Sequence, residues 1–140
     1  MDHASKVFMM RDELQRWKDE KELIVMFTDA YDVILYERPR EIVRKFKRLN
    51  ASVVFGAEYF CNPDSSKAEL FPEVKENERR FLNSGCYIGY VNEVYSIISY
   101  IANQFQSNHI DGSKCYYAAD SDKNSIGLFN TPYQLQRRAF

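Results

Sequence analysis

Leu23-Ile24-Val25-Met26-Phe27-Thr28-Asp29-Ala30-Tyr31-Asp32-Val33-Ile34-Leu35-Tyr36 decides the reading of this chain. Five apolar residues run without a break, stop at two aspartates spaced i, i+3, and a second apolar run follows at once. The first run, over 23–27, reads as a strand buried on both faces, the habit of a parallel strand in an α/β sheet. Ligands of such sheets bind just outside the carboxyl ends of the strands, where Asp29 and Asp32 fall. Two close carboxylates at a strand end suit a hard divalent cation, and that cation suits a diphosphate.

The flanking segments support an α/β arrangement. Upstream, Val7, Met10, Leu14 and Trp17 recur at helical spacing and predict a helix over 6–18, with Arg11, Asp12, Lys18 and Asp19 on its wet side. Downstream, Pro39 suits the first turn of a second helix. Ile42, Val43, Phe46 and Leu49 line one face of that helix, and Arg44, Lys45, Lys47 and Arg48 line the other. Residues 52–58 then return as a mostly apolar strand. Helix, strand, helix and strand in this rhythm predict βαβ units and a parallel sheet.

From about 59 to 80 the pattern dissolves. Asn62-Pro63-Asp64-Ser65-Ser66 and Phe71-Pro72 mark turns, and 73–80 is rich in charge. Order resumes at Phe81-Leu82-Asn83-Ser84-Gly85-Cys86-Tyr87-Ile88-Gly89-Tyr90, whose second half reads as a strand with Asn83-Ser84-Gly85 as its approach. A third helix is expected over about 92–105, with Val94, Ile97, Ile98 and Ile101 on one side. The reading therefore divides the chain into a domain over 1–105 and a divergent, poorly ordered tail over 106–140.

Bulk properties narrow the function classes. The 140 residues suffice for one domain with a core, and 45% apolar content with ten Tyr and ten Phe marks a globular chain. Nineteen basic against 20 acidic residues lack the basic footprint of a nucleic-acid binder. No stretch approaches the ~20 apolar residues of a membrane span. The first six residues lack a signal peptide's apolar core. Cys61, Cys86 and Cys115 are odd in number and widely spaced, so they are expected as independent, mostly buried thiols rather than a disulfide framework or a zinc site. Asn50-Ala51-Ser52 is a glycosylation sequon, a hint of a lumenal protein.

Three blocks carry a family resemblance: Phe27-Thr28-Asp29-Ala30-Tyr31-Asp32-Val33, Val54-Phe55-Gly56-Ala57-Glu58, and Arg80-Phe81-Leu82-Asn83-Ser84-Gly85-Cys86-Tyr87-Ile88-Gly89. In this order and spacing they resemble the N-terminal glycosyltransferase domain of procollagen lysyl hydroxylases, related in plan to collagen galactosyltransferases. The resemblance covers about residues 6–102. It implies a Rossmann-like GT-A fold with a parallel or mixed sheet flanked by helices, binding a UDP-sugar through Mn²⁺. The domain is expected to be incomplete, lacking a uridine-holding strand before residue 1 and a metal-binding histidine after residue 140.

By this resemblance Asp29 and Asp32 match the metal and nucleotide carboxylates. Tyr31 falls where the family sets an aromatic ring against the base; from the residues alone it could also fold back and pack on the sheet. Lys6 matches a family lysine that precedes the first helix and approaches the nucleotide, but Asp2-His3-Ala4-Ser5 stands where the family has glycines, which favours a solvent-exposed lysine instead. Glu58, Asn83, Ser84 and Gly85 fall in the sugar and acceptor pocket. From the residues alone, Glu58 could also cap a helix or pair with a lysine, and 83–85 could be a turn. Cys86 replaces a glycine common in the family. His109 lies too early to match the metal-binding histidine, His3 matches nothing, and no catalytic base is named.

The expected function is that of a glycosyltransferase domain acting on hydroxylysine of collagen-like chains in the endoplasmic reticulum lumen. The alternative is a truncated domain without enzymatic role. Iron and 2-oxoglutarate belong to a separate domain of the family, so no site for them is expected here. A phosphatase reading fails on spacing, because that class wants a general acid two residues after its nucleophilic aspartate.

Overall fold

The computed structural model describes residues 3–30, 33–62 and 65–107. Along the chain come α1 (His3–Gln15), β1 (Ile24–Thr28), α2 (Pro39–Arg48), β2 (Val53–Glu58), a 3-10 helix (Ser65–Leu70), β3 (Phe81–Tyr90) and α3 (Val91–Ser107). The three strands form one sheet in the order β1-β3-β2.

Both described strand pairs are antiparallel, which corrects the expected parallel pairing. Ile24 to Thr28 pair with Tyr90 down to Cys86, and β2 also runs against β3. The expected βαβ rhythm holds in one respect, since β1 and β2 run in the same direction. What periodicity could not reveal is that β3, arriving later in the chain, inserts between them and opposes both. Parallel direction therefore survives without a parallel hydrogen-bonded pair.

Side-chain alternation sorts the strands onto two cores. Val25 and Phe27 of β1, Val53 and Phe55 of β2, and Tyr87 of β3 pack with Leu14 of α1 and with Val91, Val94 and Ile98 of α3. Ile24, Met26, Val54, Ile88 and Tyr90 pack on the opposite face against Phe46 and Ile42 of α2 and Leu49 just beyond it. The molecule is thus three layers, with α1 and α3 on one side of the sheet and α2 on the other. β1 lies at a sheet edge, and all five of its residues are only partly buried, short of the fully buried strand expected.

On the α1/α3 face, the register brings Phe27, Tyr87 and Phe55 into one cross-strand row. The Phe27 and Tyr87 rings stack at 5.0 Å, and Phe55 lies tilted at 5.2 Å on the other side of Tyr87. Gly89, next along that face, is where α3 approaches closest. A Cβ there would meet Val53 Cγ2 at 2.8 Å and Val94 Cγ2 at 2.9 Å.

Local sequence accounts for the helix ends. Pro39 occupies the first turn of α2 after an extended Arg38 (φ −68°, ψ 147°), as expected of a residue with preset φ and no N–H to satisfy. Glu41 sits in that first turn and Lys45, Lys47 and Arg48 in the last, the order that the helix dipole favours. α1 starts earlier than the expected 6–18 and ends at Gln15, so Trp17 leaves the predicted apolar stripe. Its side chain is 45% exposed, and its indole N–H donates to Glu13 Oε1 at 3.3 Å.

The segment read as patternless, 59–80, contains the 3-10 helix. One residue ties it down: Arg80 donates through Nη2 to the carbonyls of Phe71 (2.7 Å) and Ala68 (3.1 Å) and pairs with Glu73. Cys61 and Cys86 are free and half-buried rather than buried. Gln106 and Ser107, expected in the tail, belong to α3, and Cys115, His109 and the rest of the expected tail lie outside the described residues.

Candidate functional site

Because β1 and β2 run the same way, their carboxyl ends emerge at one end of the sheet, beside the start of β3. Asp29 follows β1 directly. Its backbone N–H donates to Gly85 O at 2.8 Å, extending the β1–β3 ladder by one residue. The expected location at a strand's carboxyl end is therefore what the structure has, in a sheet of different pairing.

The opposing part of β3 is distorted. Phe55 pairs with Tyr87, but the next residue of β2, Gly56, pairs with Asn83. Ser84, Gly85 and Cys86 therefore have no partner on β2, while Cys86 still pairs with Thr28 of β1. Bulges of this kind re-aim side chains and occur beside binding sites. Asn83-Ser84-Gly85 thus lies inside β3 rather than forming a turn ahead of it. Asn83 Oδ1 accepts the Gly85 N–H at 2.8 Å, the local closure that asparagine favours, leaving its amide N–H groups to donate elsewhere. Ser84 is exposed at the crest.

Gly85 is where backbone and carboxylate meet. A Cβ on it would stand 2.5 Å from Asp29 Oδ2 and 3.0 Å from Asn83 Oδ1. No described glycine has positive φ, so space rather than backbone freedom requires glycine here. Asp29 Oδ1 receives Lys6 Nζ at 3.0 Å, and both side chains are about two-fifths exposed. α1 makes this possible by packing Val7, Met10 and Leu14 on the same sheet face, which brings its first turns to the end of β1. Lys6 therefore lies within α1 rather than ahead of it. At that degree of exposure the ion pair contributes little to stability, and its importance is positional.

The Cys86 thiol borders this carboxylate. Partial burial raises its pKa, and the nearby Asp29 charge raises it further, so it is held as the neutral thiol. Glu58 ends β2 opposite Phe81 and forms no ion pair among the described residues. Strict alternation from Phe55 puts it on the α2 face, whereas Asp29 lies on the α1 face. The structure thus brings together Lys6, Asp29, Asn83, Ser84 and Gly85, and sets Glu58 farther along the same rim. Tyr31 and Asp32 lie outside the described residues.

Several features here had no signal in the sequence alone. The pairing of Lys6 with Asp29 spans 23 residues and depends on how α1 packs. The Arg80 clamp, which holds the approach to β3, had no clearer signal than the Arg79-Arg80 pair ahead of Phe81-Leu82.

As a metal site, the described residues supply one hard carboxylate with an accessible face, set over a position without a Cβ. That fits a role as one ligand of a divalent cation. Among the described residues, no group of three His, Cys, Asp or Glu side chains forms a metal cluster. No described helix is long and apolar enough to cross a membrane.

Comparison with known proteins adds an independent line. The family model described as PLOD GT domain matches residues 3–120. Procollagen-lysine,2-oxoglutarate 5-dioxygenase of Drosophila melanogaster is 43% identical over 93 residues, which is 66% of this chain and 13% of the fly protein. Multifunctional procollagen lysine hydroxylase and glycosyltransferase LH3 of Homo sapiens is 36% identical over 114 residues, 81% of this chain and 15% of the human one. Human procollagen-lysine,2-oxoglutarate 5-dioxygenase 2 is 39% identical over 95 residues, 68% of this chain and 13% of that protein. The chain thus spans about one seventh of the length of these relatives. Together with the blocks around Asp29, Glu58 and Asn83, this match establishes that the chain belongs to the glycosyltransferase domain family of the procollagen lysyl hydroxylases.

Proposed function

We propose that this chain contributes the nucleotide-sugar end of a GT-A glycosyltransferase, which uses a UDP-sugar with Mn²⁺ and transfers the sugar to hydroxylysine of collagen-like chains in the endoplasmic reticulum lumen. The observation that carries the proposal is the setting of Asp29. Its backbone is tied to Gly85, its carboxylate rests over that glycine, and Lys6 reaches the other oxygen. A carboxylate whose backbone is fixed in the ladder and whose side chain meets Lys6 is partly oriented before any ligand arrives, which reduces the ordering that binding requires.

Roles follow from this arrangement. Asp29, with Asp32, supplies carboxylate oxygens to the cation. When bound, the cation offsets charge on the diphosphate and stabilises the departing UDP. Lys6 holds the Asp29 carboxylate in the free protein and offers a positive charge to a diphosphate placed beside it. Tyr31 stacks on the base, where a ring is worth roughly 1–3 kcal/mol. The Asn83 amide N–H groups and the exposed Ser84 hydroxyl serve sugar hydroxyls, and Gly85 lets the sugar approach the backbone. Glu58, set apart on the other face, takes an acceptor contact.

Calorimetric titration of the chain with UDP in the presence of Mn²⁺ tests the reading. UDP binding that depends on the metal and weakens at least tenfold, about 1.4 kcal/mol, in Asp29→Asn is the expected result. Equal binding by wild type and Asp29→Asn, or no heat at millimolar UDP, would overturn it in favour of a domain without enzymatic role.

A further inference from the structure

The end of the sheet opposite Asp29 carries a feature that the sugar-transfer reading does not use. α2 ends at Arg48, and the chain turns through Leu49 and Asn50 before β2 begins at Val53. Asn50 is exposed and adopts the left-handed conformation, with φ 50°. Its backbone N–H closes the turn onto Lys47 O at 3.3 Å, and among the described residues its side-chain amide has no hydrogen-bond partner. Two residues on, Ser52 completes Asn50-Ala51-Ser52. The backbone carbonyl of Ser52 accepts the Tyr90 N–H at 3.0 Å, so the strand pairing there does not use the serine hydroxyl.

We propose that Asn50 is an N-glycosylation site, so that this chain is itself modified by an oligosaccharide. In the transfer, Asn50 Nδ2 forms a bond to the anomeric carbon of an oligosaccharide. The bond from that carbon to the diphosphate of a polyprenyl lipid donor breaks, the lipid diphosphate leaves with the electron pair, and the amide gives up one proton. The folded structure accommodates the product, because Asn50 is exposed in a turn and is not part of either core. The glycan would stand beside the amino end of β2 and the carboxyl end of β3, a full sheet length from Asp29, Asn83 and Ser84, leaving the nucleotide rim open.

A left-handed Asn after a helix has an ordinary structural use, since Asn tolerates that conformation better than most residues with a Cβ. Substitutions can separate the turn from the modification. Asn50→Gly keeps the left-handed turn and removes the acceptor. Ser52→Ala keeps both Asn50 and the Ser52 backbone contact, and removes only the hydroxyl that the sequon requires. Arg79→Thr makes a control acceptor of Asn77, a second exposed residue with positive φ (69°).

The proposal rests on the lumenal compartment in the reading above, and not on the chemistry at Asp29. The test is to express the full 140-residue chain in its own cell type and follow its mobility and peptide masses before and after treatment with peptide N-glycosidase. The expected result is one glycan on the wild type, leaving Asp at position 50 after enzymatic release, with none on Asn50→Gly or Ser52→Ala. An unmodified wild type beside a modified Arg79→Thr chain overturns the proposal at Asn50. If neither chain is modified, the proposal falls together with the lumenal assignment, whereas a failure of UDP binding alone leaves it standing.

Discussion

Gly85 and Asp29 share one small volume, and that gives the rim a sharp single-residue test. An alanine at 85 would press its Cβ against Asp29 Oδ2 at 2.5 Å and Asp29 Cγ at 3.3 Å, so the carboxylate must turn away. No core residue is involved, and no left-handed backbone is asked of the alanine. Gly85→Ala is therefore expected to lower UDP affinity on the order of tenfold, about 1.4 kcal/mol, while the thermal midpoint moves little. Calorimetry and a melting curve on the same sample distinguish this from general damage, which would lower both together. The sequence suggested Gly85 as a point of close approach, but not what approaches it. That partner proves to be Asp29, brought by the β1–β3 register, and register is a property of the whole sheet.

Tyr87 gives a residue-scale prediction with a pH sign. Burial pushes its phenol above the ordinary value near 10. The fold thus favours the protonated phenol, and the unfolded chain ionises first as pH rises. This contribution to stability is fully present below pH ~10 and is lost as the pH climbs above it. Tyr87→Phe is expected to flatten the alkaline side of the stability curve, followed by circular dichroism in urea. Parallel losses in wild type and variant above pH ~10 would show that ionisation at Tyr87 is not what destabilises the fold.

At the scale of elements, Gly89 of β3 lies in a tight junction with both β2 and α3. Gly89 faces Val53 Cγ2, Val94 Cγ2 and the Ser52 carbonyl, all within 2.9 Å of where a Cβ would be. Two of those atoms are branched side chains in a packed core and one is backbone, so none yields cheaply. Gly89→Ala is expected to cost about 1–3 kcal/mol, the usual range for overpacking. A lower urea midpoint with an unchanged slope would record it, and an unchanged midpoint would contradict the close packing described.

Elements were also where the sequence was most legible. The stripes of α2 and α3 give their buried faces directly, because Ile42, Phe46, Val94 and Ile98 recur at helical spacing and do face the sheet. β2 was likewise clear from its composition. Pairing was not, because an antiparallel middle strand that joins from 23 residues downstream leaves no local trace. Trp17 misled for a related reason, since the spacing of the stripe continues past the residue at which the helix stops.

For the whole molecule, what matters is that the two ends of the sheet carry different chemistry. Asp29, the Asn83–Gly85 bulge and Glu58 gather where β1 and β2 end. The large apolar side chains of Ile34, Leu35, Tyr36, Tyr59 and Phe60, all more than half exposed, belong to the segments that leave those same strand ends. The opposite end carries the Asn50 turn and the junction with α3. Asp29 was legible as a carboxylate at a strand end because an apolar run that stops at an aspartate is a local signal. Lys6 was legible only through family resemblance, since the approach of α1 to β1 is set by packing around Leu14.

Paramagnetic broadening tests the placement of the metal-nucleotide site most directly. With UDP present, substoichiometric Mn²⁺ added to ¹⁵N-labelled chain should erase the amide signals of Asp29, Gly85 and Cys86 first, and leave those of Ser52, Val91 and Asn92 at the far end of the sheet intact. Broadening centred at the far end or spread evenly over the molecule would contradict the account, as would none at millimolar Mn²⁺.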